Sequence, residues 1–149
     1  MKMTKAIMFD MDGTIANLYG VENWLDYLVG CDPYPYKAAK PLVNMNSLAR
    51  LLNRLQADGW HIGIVSWLAK NSNASYDEAV SLAKLNWLRK HLASVEWDEI
   101  KIVPYGTPKQ TVVEISGGIL FDDEAQNRSS WIGTAYDETN ILDILKGLR

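Results

Sequence analysis

The apolar run Ala6-Ile7-Met8-Phe9 stops abruptly at Asp10-Met11-Asp12-Gly13-Thr14, and that junction constrains the fold more than any other stretch. An apolar run without alternation fits a strand buried on both faces of a parallel sheet. Parallel strands need long crossovers, usually helical, so the fold class is α/β. In open α/β sheets, ligands bind outside the carboxyl ends of the strands, where these two carboxylates stand. Residues two apart share a face, so Asp10 and Asp12 converge once the chain turns at Gly13. Two anions so close repel, and a divalent cation relieves them; an oxygen-rich site of this kind suits Mg²⁺. Asp-x-Asp-Gly also occurs in calcium loops and ordinary turns. A calcium loop needs another acid or Asn two positions on and a Glu at its end, where this chain has Thr14 and Val21.

The rest of the chain suits a soluble globular domain. Its 149 residues are 48% hydrophobic and 22% charged, enough for one core without disulfides or structural metal. A net charge of −3 implies no large nucleic-acid surface. The lone Cys31 is expected as a buried or half-buried side chain, and no Cys/His cluster suggests zinc. No apolar stretch is long enough for a membrane span, and the N-terminal run is too short for a secretory signal. The expectation is a single domain over residues 1–149, cytoplasmic, acting on a small molecule, with oligomeric state open.

Read in order, strands and helices alternate. Residues 15–44 form an insertion after the first strand, with a short helix over Glu22–Val29. The prolines at 33 and 35 argue against helix or sheet interior there. Leu48, Leu51, Leu52 and Leu55 keep helical spacing behind an N-cap at Asn46 or Ser47. His61 to Ser66 reads as a second buried strand, with His61 solvated at its start. Ser75 to Glu78 reads as a capping box, opening a helix whose apolar residues are Ala79, Leu82, Ala83, Leu88 and Leu92. His91 lies near the end of that helix, where the dipole favours a positive charge. Ile100–Val103 is a third strand. Thr107 and Pro108 are expected to cap and open a helix. Ile119–Phe121 is a fourth strand, and Trp131–Ala135 an edge strand. Asp137 caps a final helix carrying Ile141, Leu142, Leu145 and Leu148.

Three strands therefore end in polar residues at one pole: Asp10 and Asp12, Ser66, and Asp122 with Asp123, with Lys109 just after Pro108. Each alone is weak evidence, since a serine after a strand or a lysine on a helix is ordinary. Their conjunction, in order, suits phosphoryl transfer, which asks mainly for positioning and charge neutralisation. Asp10 can attack phosphorus and form an aspartyl-phosphate. Asp12 can protonate the leaving oxygen and then activate water. Ser66 offers a hydroxyl to a phosphoryl oxygen. Lys109, helped by a helix N-terminus, offsets repulsion between phosphate and Asp10. Asp122 with Asp10 would hold Mg²⁺.

On these residues the chain resembles the haloacid dehalogenase superfamily of phosphohydrolases. Asp10 to Thr14 matches its first motif, Ser66 the second, Lys109 the third and Asp122-Asp123 the fourth. The resemblance implies a Rossmann-like three-layer fold with a parallel sheet of about five strands in order 5-4-1-2-3 and a small helical cap at 15–44. It also implies that Gly13 belongs with Ser66 and Lys109 at the phosphate, that the main-chain carbonyl of Asp12 joins Asp10 and Asp122 on the metal, and that Asp123 serves in the outer shell.

The run from Asp10 to Tyr19 with a helical insertion is similar to the 5′(3′)-deoxyribonucleotidase family, although Asn17 stands where that family often has an acid. That likeness implies a nucleoside monophosphate substrate, with Tyr19, Trp24 and Trp67 as candidate specificity residues. Other readings stay open: a phosphatase for another phosphometabolite or a nucleic-acid end, and a non-catalytic binding or regulatory module.

Overall fold

The structure, a computed structural model, describes residues 4–148; the outermost ends of the 1–149 span lie outside it. In chain order the elements are β1 (Ala6–Phe9), β2 (Ala16–Asn17), α1 (Trp24–Val29), α2 (Tyr34–Ala38), β3 (Lys40–Pro41) and α3 (Met45–Ala57). There follow β4 (His61–Trp67), α4 (Ala74–His91), β5 (Glu99–Val103), β6 (Ile119–Phe121), α5 (Ala125–Ser130), β7 (Thr134–Tyr136) and α6 (Ile141–Gly147). The main sheet runs β5-β4-β1-β6-β7, all parallel. Counting only these five strands in sequence, that is 3-2-1-4-5, the expected order seen from the opposite edge.

β1 is central because its side chains suit burial on both faces. All four of its residues are buried. Ile7 and Phe9 pack with Ile62, Ile64, Ile119 and Phe121 against α3 and α6. Met8 points the other way, with Val65, Leu120 and Trp131. Phe9, Phe121 and Tyr136 stand in register on adjacent strands with rings stacked at 5.2 and 5.7 Å. Gly63 makes room for Met8: a Cβ there would lie 2.7 Å from its sulfur. On α3 the buried residues are the four leucines at 48, 51, 52 and 55. Burying each is worth about 1.5–3 kcal/mol.

Several local expectations are corrected. The side chain capping α3 is Asn44, which accepts from Ser47 N at 3.0 Å. The one capping α4 is Asn73, which accepts from Tyr76 N at 2.8 Å, so Ser75 lies inside the helix. Asp137 instead folds a turn onto Thr139 N, and the N-cap of α6 is Asn140. The edge strand is Thr134–Tyr136, and Trp131 precedes it, buried, with its indole donating to Gly118 O. Pro33 and Pro35 sit at the N-cap and first turn of α2, where a missing N–H is harmless. Thr107-Pro108 opens only a short 3-10 turn, Lys109–Thr111; β-branched Thr111, Val112 and Val113 at and beyond its end disfavour helix.

The inward face of α4 is broader than expected: Ala83, Leu88 and Leu92 are buried as read, but they share that face with residues the pattern did not mark. Tyr76, Val80, Ala83, Lys84, Trp87 and Leu88 are buried, whereas Leu82 is 56% exposed. Cys31 is exposed, not buried. His61 is half-buried against Glu99 at 3.0 Å rather than solvated. His91 packs against Trp87 with the rings tilted at 44°, and burial with the Lys90 charge lowers its pKa, against the expected dipole effect.

Within 15–44, β2 and β3 pair as a two-stranded antiparallel neck, Ala16 opposite Pro41 and Asn17 opposite Lys40. Leu18 and Tyr36 pack on Leu68, Tyr76, Val80 and Ala83, and Trp87 Nε1 donates to Ala39 O at 2.8 Å. The insertion thus leans on α4. Among the described residues no helix is long and apolar enough to cross a membrane.

Candidate active site

The carboxyl ends of β1, β4 and β6 converge under the insertion. Asp10 follows β1 and its N–H bonds Phe121 O across to β6 at 2.9 Å, so the two central strands hand their acids to one place. The chain then turns at Gly13, at φ +81°, where a side chain would collide with the Asp123 carboxylate and the Tyr19 ring. The turn brings the fully buried Thr14 back beneath the acids. Its hydroxyl lies 3.0 Å from Asp10 Oδ2 and 3.2 Å from Asp123 Oδ1, and it accepts from Asp123 N at 3.1 Å.

Lys109, 3% exposed, reaches Asp10 Oδ1 at 2.9 Å and Asp122 Oδ2 at 2.6 Å. It comes from the 3-10 turn after Pro108 and not from a helix N-terminus, so its own ammonium is the positive charge supplied there. Asp122 is fully buried. Glu124 N donates to its Oδ1 at 2.9 Å, and Asn127 Nδ2 to its Oδ2 at 3.1 Å.

Ser66 and Asp12 form a second layer around a lysine the sequence reading passed over. Lys84, buried on α4, donates to Asp12 Oδ2 at 2.9 Å, Ser66 Oγ at 2.6 Å and Trp67 O at 2.7 Å. The sequence signal was its place four residues after Val80 and four before Leu88 on the inward stripe of α4, hidden because a lysine on a helix ordinarily reads as solvated.

Crowding sets the electrostatics. Burial, with Asp10 alongside, pushes Asp122 up to about 6, against the pull of Lys109. Burial and the same neighbour push Asp123 up to about 8. Burial raises Asp12 above the ordinary carboxylate range although Lys84 opposes it. For Lys109, the Asp10 and Asp122 charges outweigh burial and raise it. Asp10, Asp122 and Asp123 each offer an oxygen, all within 4.8 Å of one another. An all-oxygen anionic donor set of this kind fits a hard divalent cation such as Mg²⁺.

Above the acids opens a cleft of about 260 Å³. Tyr19 and Trp24 meet edge to face at 4.8 Å on the insertion side. Trp67 and Tyr105 lie 4.9 Å apart on the other, with Trp67 Nε1 anchored on Thr107 O at 2.8 Å. Leu18, Leu25, Leu28 and Leu68, with Tyr36 and Ala69, complete the apolar lining. The structure therefore brings Asp10, Asp12, Lys109, Asp122, Asp123, Tyr19, Trp24 and Trp67 to one cleft, with Ser66 behind it. Tyr105, which also faces the cleft, was not singled out in the sequence, since a tyrosine after a strand carries no distinguishing pattern.

No family model matches the chain, and no curated protein matches it in sequence. Solved structures do match in fold. A D,D-heptose 1,7-bisphosphate phosphatase from Burkholderia thailandensis aligns with a TM-score of 0.59 at 12% identity, over 97% of each chain. The enzyme of that name from B. bronchiseptica, complexed with magnesium and phosphate, aligns with a TM-score of 0.51 at 14% identity, over 85% of this chain and 74% of that one. At these identities the likeness establishes the fold: this chain has the Rossmann-like, five-stranded α/β fold of those phosphatases.

Proposed function

We propose that the protein is a Mg²⁺-dependent phosphomonoesterase working through an aspartyl-phosphate, with nucleoside monophosphates as substrates. The observation that carries this reading is Asp10 at the end of the central strand. Its oxygens are held by Lys109 and Thr14, and Asp122 and Asp123 each bring an oxygen within 4.8 Å of it. The magnesium and phosphate bound by the B. bronchiseptica enzyme support it by analogy of fold.

Asp10 and Asp122, with the Asp12 carbonyl, would hold the metal, and Asp123 stands close enough to join them or to act through Thr14. When bound, Mg²⁺ would neutralise the clustered carboxylates and the phosphoryl oxygens. Asp10 attacks phosphorus as the bond to the leaving oxygen breaks, and Asp12 gives that oxygen a proton. Asp12 then takes a proton from water as the water attacks the acyl-phosphate, which frees Asp10 and phosphate. Lys109, Ser66 and the Gly13 turn steady the phosphoryl group. The raised Asp12 pKa suits an acid that must hold a proton before it gives one.

The shape of the cleft supports a nucleotide. Its walls are aromatic and aliphatic, and its described lining cations are Lys109, already bound to carboxylates, and Lys70 beside Tyr105. A planar base suits these walls better than the second phosphate of a sugar bisphosphate does. Base stacking is worth about 1–3 kcal/mol by alanine substitution.

The test is hydrolysis of an aryl phosphate with and without Mg²⁺, then of a nucleoside monophosphate, a sugar phosphate and a sugar bisphosphate. Wild type, Trp24→Ala and Trp67→Ala are compared. A nucleotide preference that falls in both variants supports the reading. Preference for a sugar phosphate or bisphosphate, or a preference unmoved by both changes, removes the nucleotide and leaves the phosphatase. No metal-dependent hydrolysis of any phosphoester favours a binding module.

A further inference from the structure

We infer that Lys84 is a positioning residue that fixes both the proton-transfer carboxylate and the phosphate-gripping hydroxyl, an assignment that rests on reading the site as a phosphomonoesterase. An ammonium has three N–H bonds and no acceptor. Lys84 spends all three, on Asp12 Oδ2, Ser66 Oγ and the Trp67 carbonyl, at 2.9, 2.6 and 2.7 Å. It is 1% exposed, with the Tyr36 ring 5.2 Å from its nitrogen. A buried charge is tolerated only when paired and hydrogen-bonded, so this one has a single place to be. It is thereby a fixed post between α4 and the end of β4.

The consequences follow from hydrogen-bond directions. Ser66 Oγ accepts from Lys84, so the hydroxyl proton must point elsewhere, and among the described residues it has no acceptor. Ser66, fully buried behind the cleft, is left as a donor, the role required toward a phosphoryl oxygen that seats below the cleft floor beside Asp12. Asp12 has one oxygen tied by Lys84, and its other oxygen takes no hydrogen bond from the described residues. That second oxygen is the one free to carry a proton between leaving group and water. Lys109 holds the nucleophile and a metal-site acid; Lys84 holds the acid-base group and the phosphate donor. The two lysines share no hydrogen-bond partner, so their contributions are separable.

A simple tether between helix and strand would also bury a lysine, so the test must read more than stability. Lys84→Met keeps the length and removes the charge and donors. General acid help is worth about 10²–10⁴-fold. Lys84→Met is therefore expected to lower kcat/KM on phenyl phosphate about 10²-fold, and on 4-nitrophenyl phosphate, whose leaving group needs little protonation, less than about tenfold. In an Asp12→Asn background the same change is expected to cost less than about tenfold, the share that runs through Ser66, because residues acting through one another are not additive. Equal losses on both substrates, or a full loss in the Asp12→Asn background, would mean a tether only and overturn the assignment. A crystal structure of Lys84→Met judges it independently of turnover: displaced Asp12 and Ser66 side chains support it, and unmoved ones overturn it. Wild type inactive on both esters with Mg²⁺ would sink the phosphomonoesterase reading instead.

Discussion

The two ends of the central sheet each gather acids, and they treat them in opposite ways. At the amino end, Asp98 accepts from Ile62 N at 2.8 Å and Gln56 Nε2 at 3.0 Å. Burial pushes Asp98 up, but those bonds and the nearby His61 outweigh it, so it titrates below the ordinary carboxylate range. Glu99 beside it is met by His61 and by Glu114 N. At the carboxyl end, Asp12, Asp122 and Asp123 are all raised. Both ends place three potential ligands together, His61, Glu99 and Glu114 at one and Asp10, Asp122 and Asp123 at the other. Proximity of donors therefore distinguishes nothing. The difference is that Asp98 and Glu99 are met by His61 and by main-chain and amide donors, while at the other end the single Lys109 ammonium serves Asp10 and Asp122 and leaves a repulsion that a bound cation or proton relieves.

The sharpest way to break this contrast is at the nucleophile. Asp10→Asn is expected to abolish turnover and to leave no acid-stable phosphoprotein in a quench of a labelled substrate. Turnover at the wild-type rate in protein freed of host phosphatases would end the covalent mechanism. Next in size is the division of labour between the paired acids. Asp122→Ala is expected to raise the Mg²⁺ concentration for half-maximal rate more than 100-fold, and Asp123→Ala by about 10–100-fold, the range for a residue that acts on ligands from outside. Equal or reversed effects would mean that Asp123 is the inner ligand.

A smaller effect separates the ends by pH. Asp122 and Asp123 have folded-state values of about 6 and about 8, above the usual carboxylate value of 3.8. The folded state therefore binds more protons than the unfolded one in that window. Their contribution to stability is complete below about pH 4 and is lost as pH rises through about 6 and then about 8. The melting temperature of metal-free protein is expected to fall by several degrees between pH 5 and pH 8, with Mg²⁺ restoring it most at the alkaline side. The fall should shrink in Asp123→Asn; a flat profile in metal-free wild type would show that the acids are not frustrated. The smallest effect belongs to the amino end. Asp98→Ala is expected to cost about 1 kcal/mol in denaturant unfolding through its lost hydrogen bonds, with kcat/KM unchanged. A loss of activity there would erase the distinction.

Much of the scaffold was legible because the sheet interior leaves a one-dimensional trace. β1, β4 and β6 are apolar runs that stop at Asp10, Ser66-Trp67 and Asp122, and the positions of those side chains follow from where the strands end. Helix starts were less legible. Asn44, Asn73 and Asn140 lie within three residues of the caps the sequence suggested, in segments where Asn, Ser, Thr and Asp all have the chemistry to cap. Which of them does so depends on how the loop leaves the preceding strand. The segment after Pro108 misled for a related reason: its cap signals are sound, but three β-branched residues follow and the helix does not propagate.

The sequence by itself determined that a central strand ends in two acids, that Lys109 and Asp122-Asp123 follow in order, and that aromatics flank the first and second strands. These are local facts, set by residue type and spacing. Only the tertiary structure decided that Lys84, from the middle of a helix, closes on Asp12 and Ser66, respectively 72 and 18 residues away. The rotational setting of α4 decides it. That setting turns Tyr76, Val80, Ala83 and Trp87 inward and Leu82 out to solvent, and apolar residues on both sides of the helix leave its phase ambiguous in the sequence. A lysine is read as solvated until packing shows three acceptors waiting for it, since pairing and not residue type makes a buried charge tolerable.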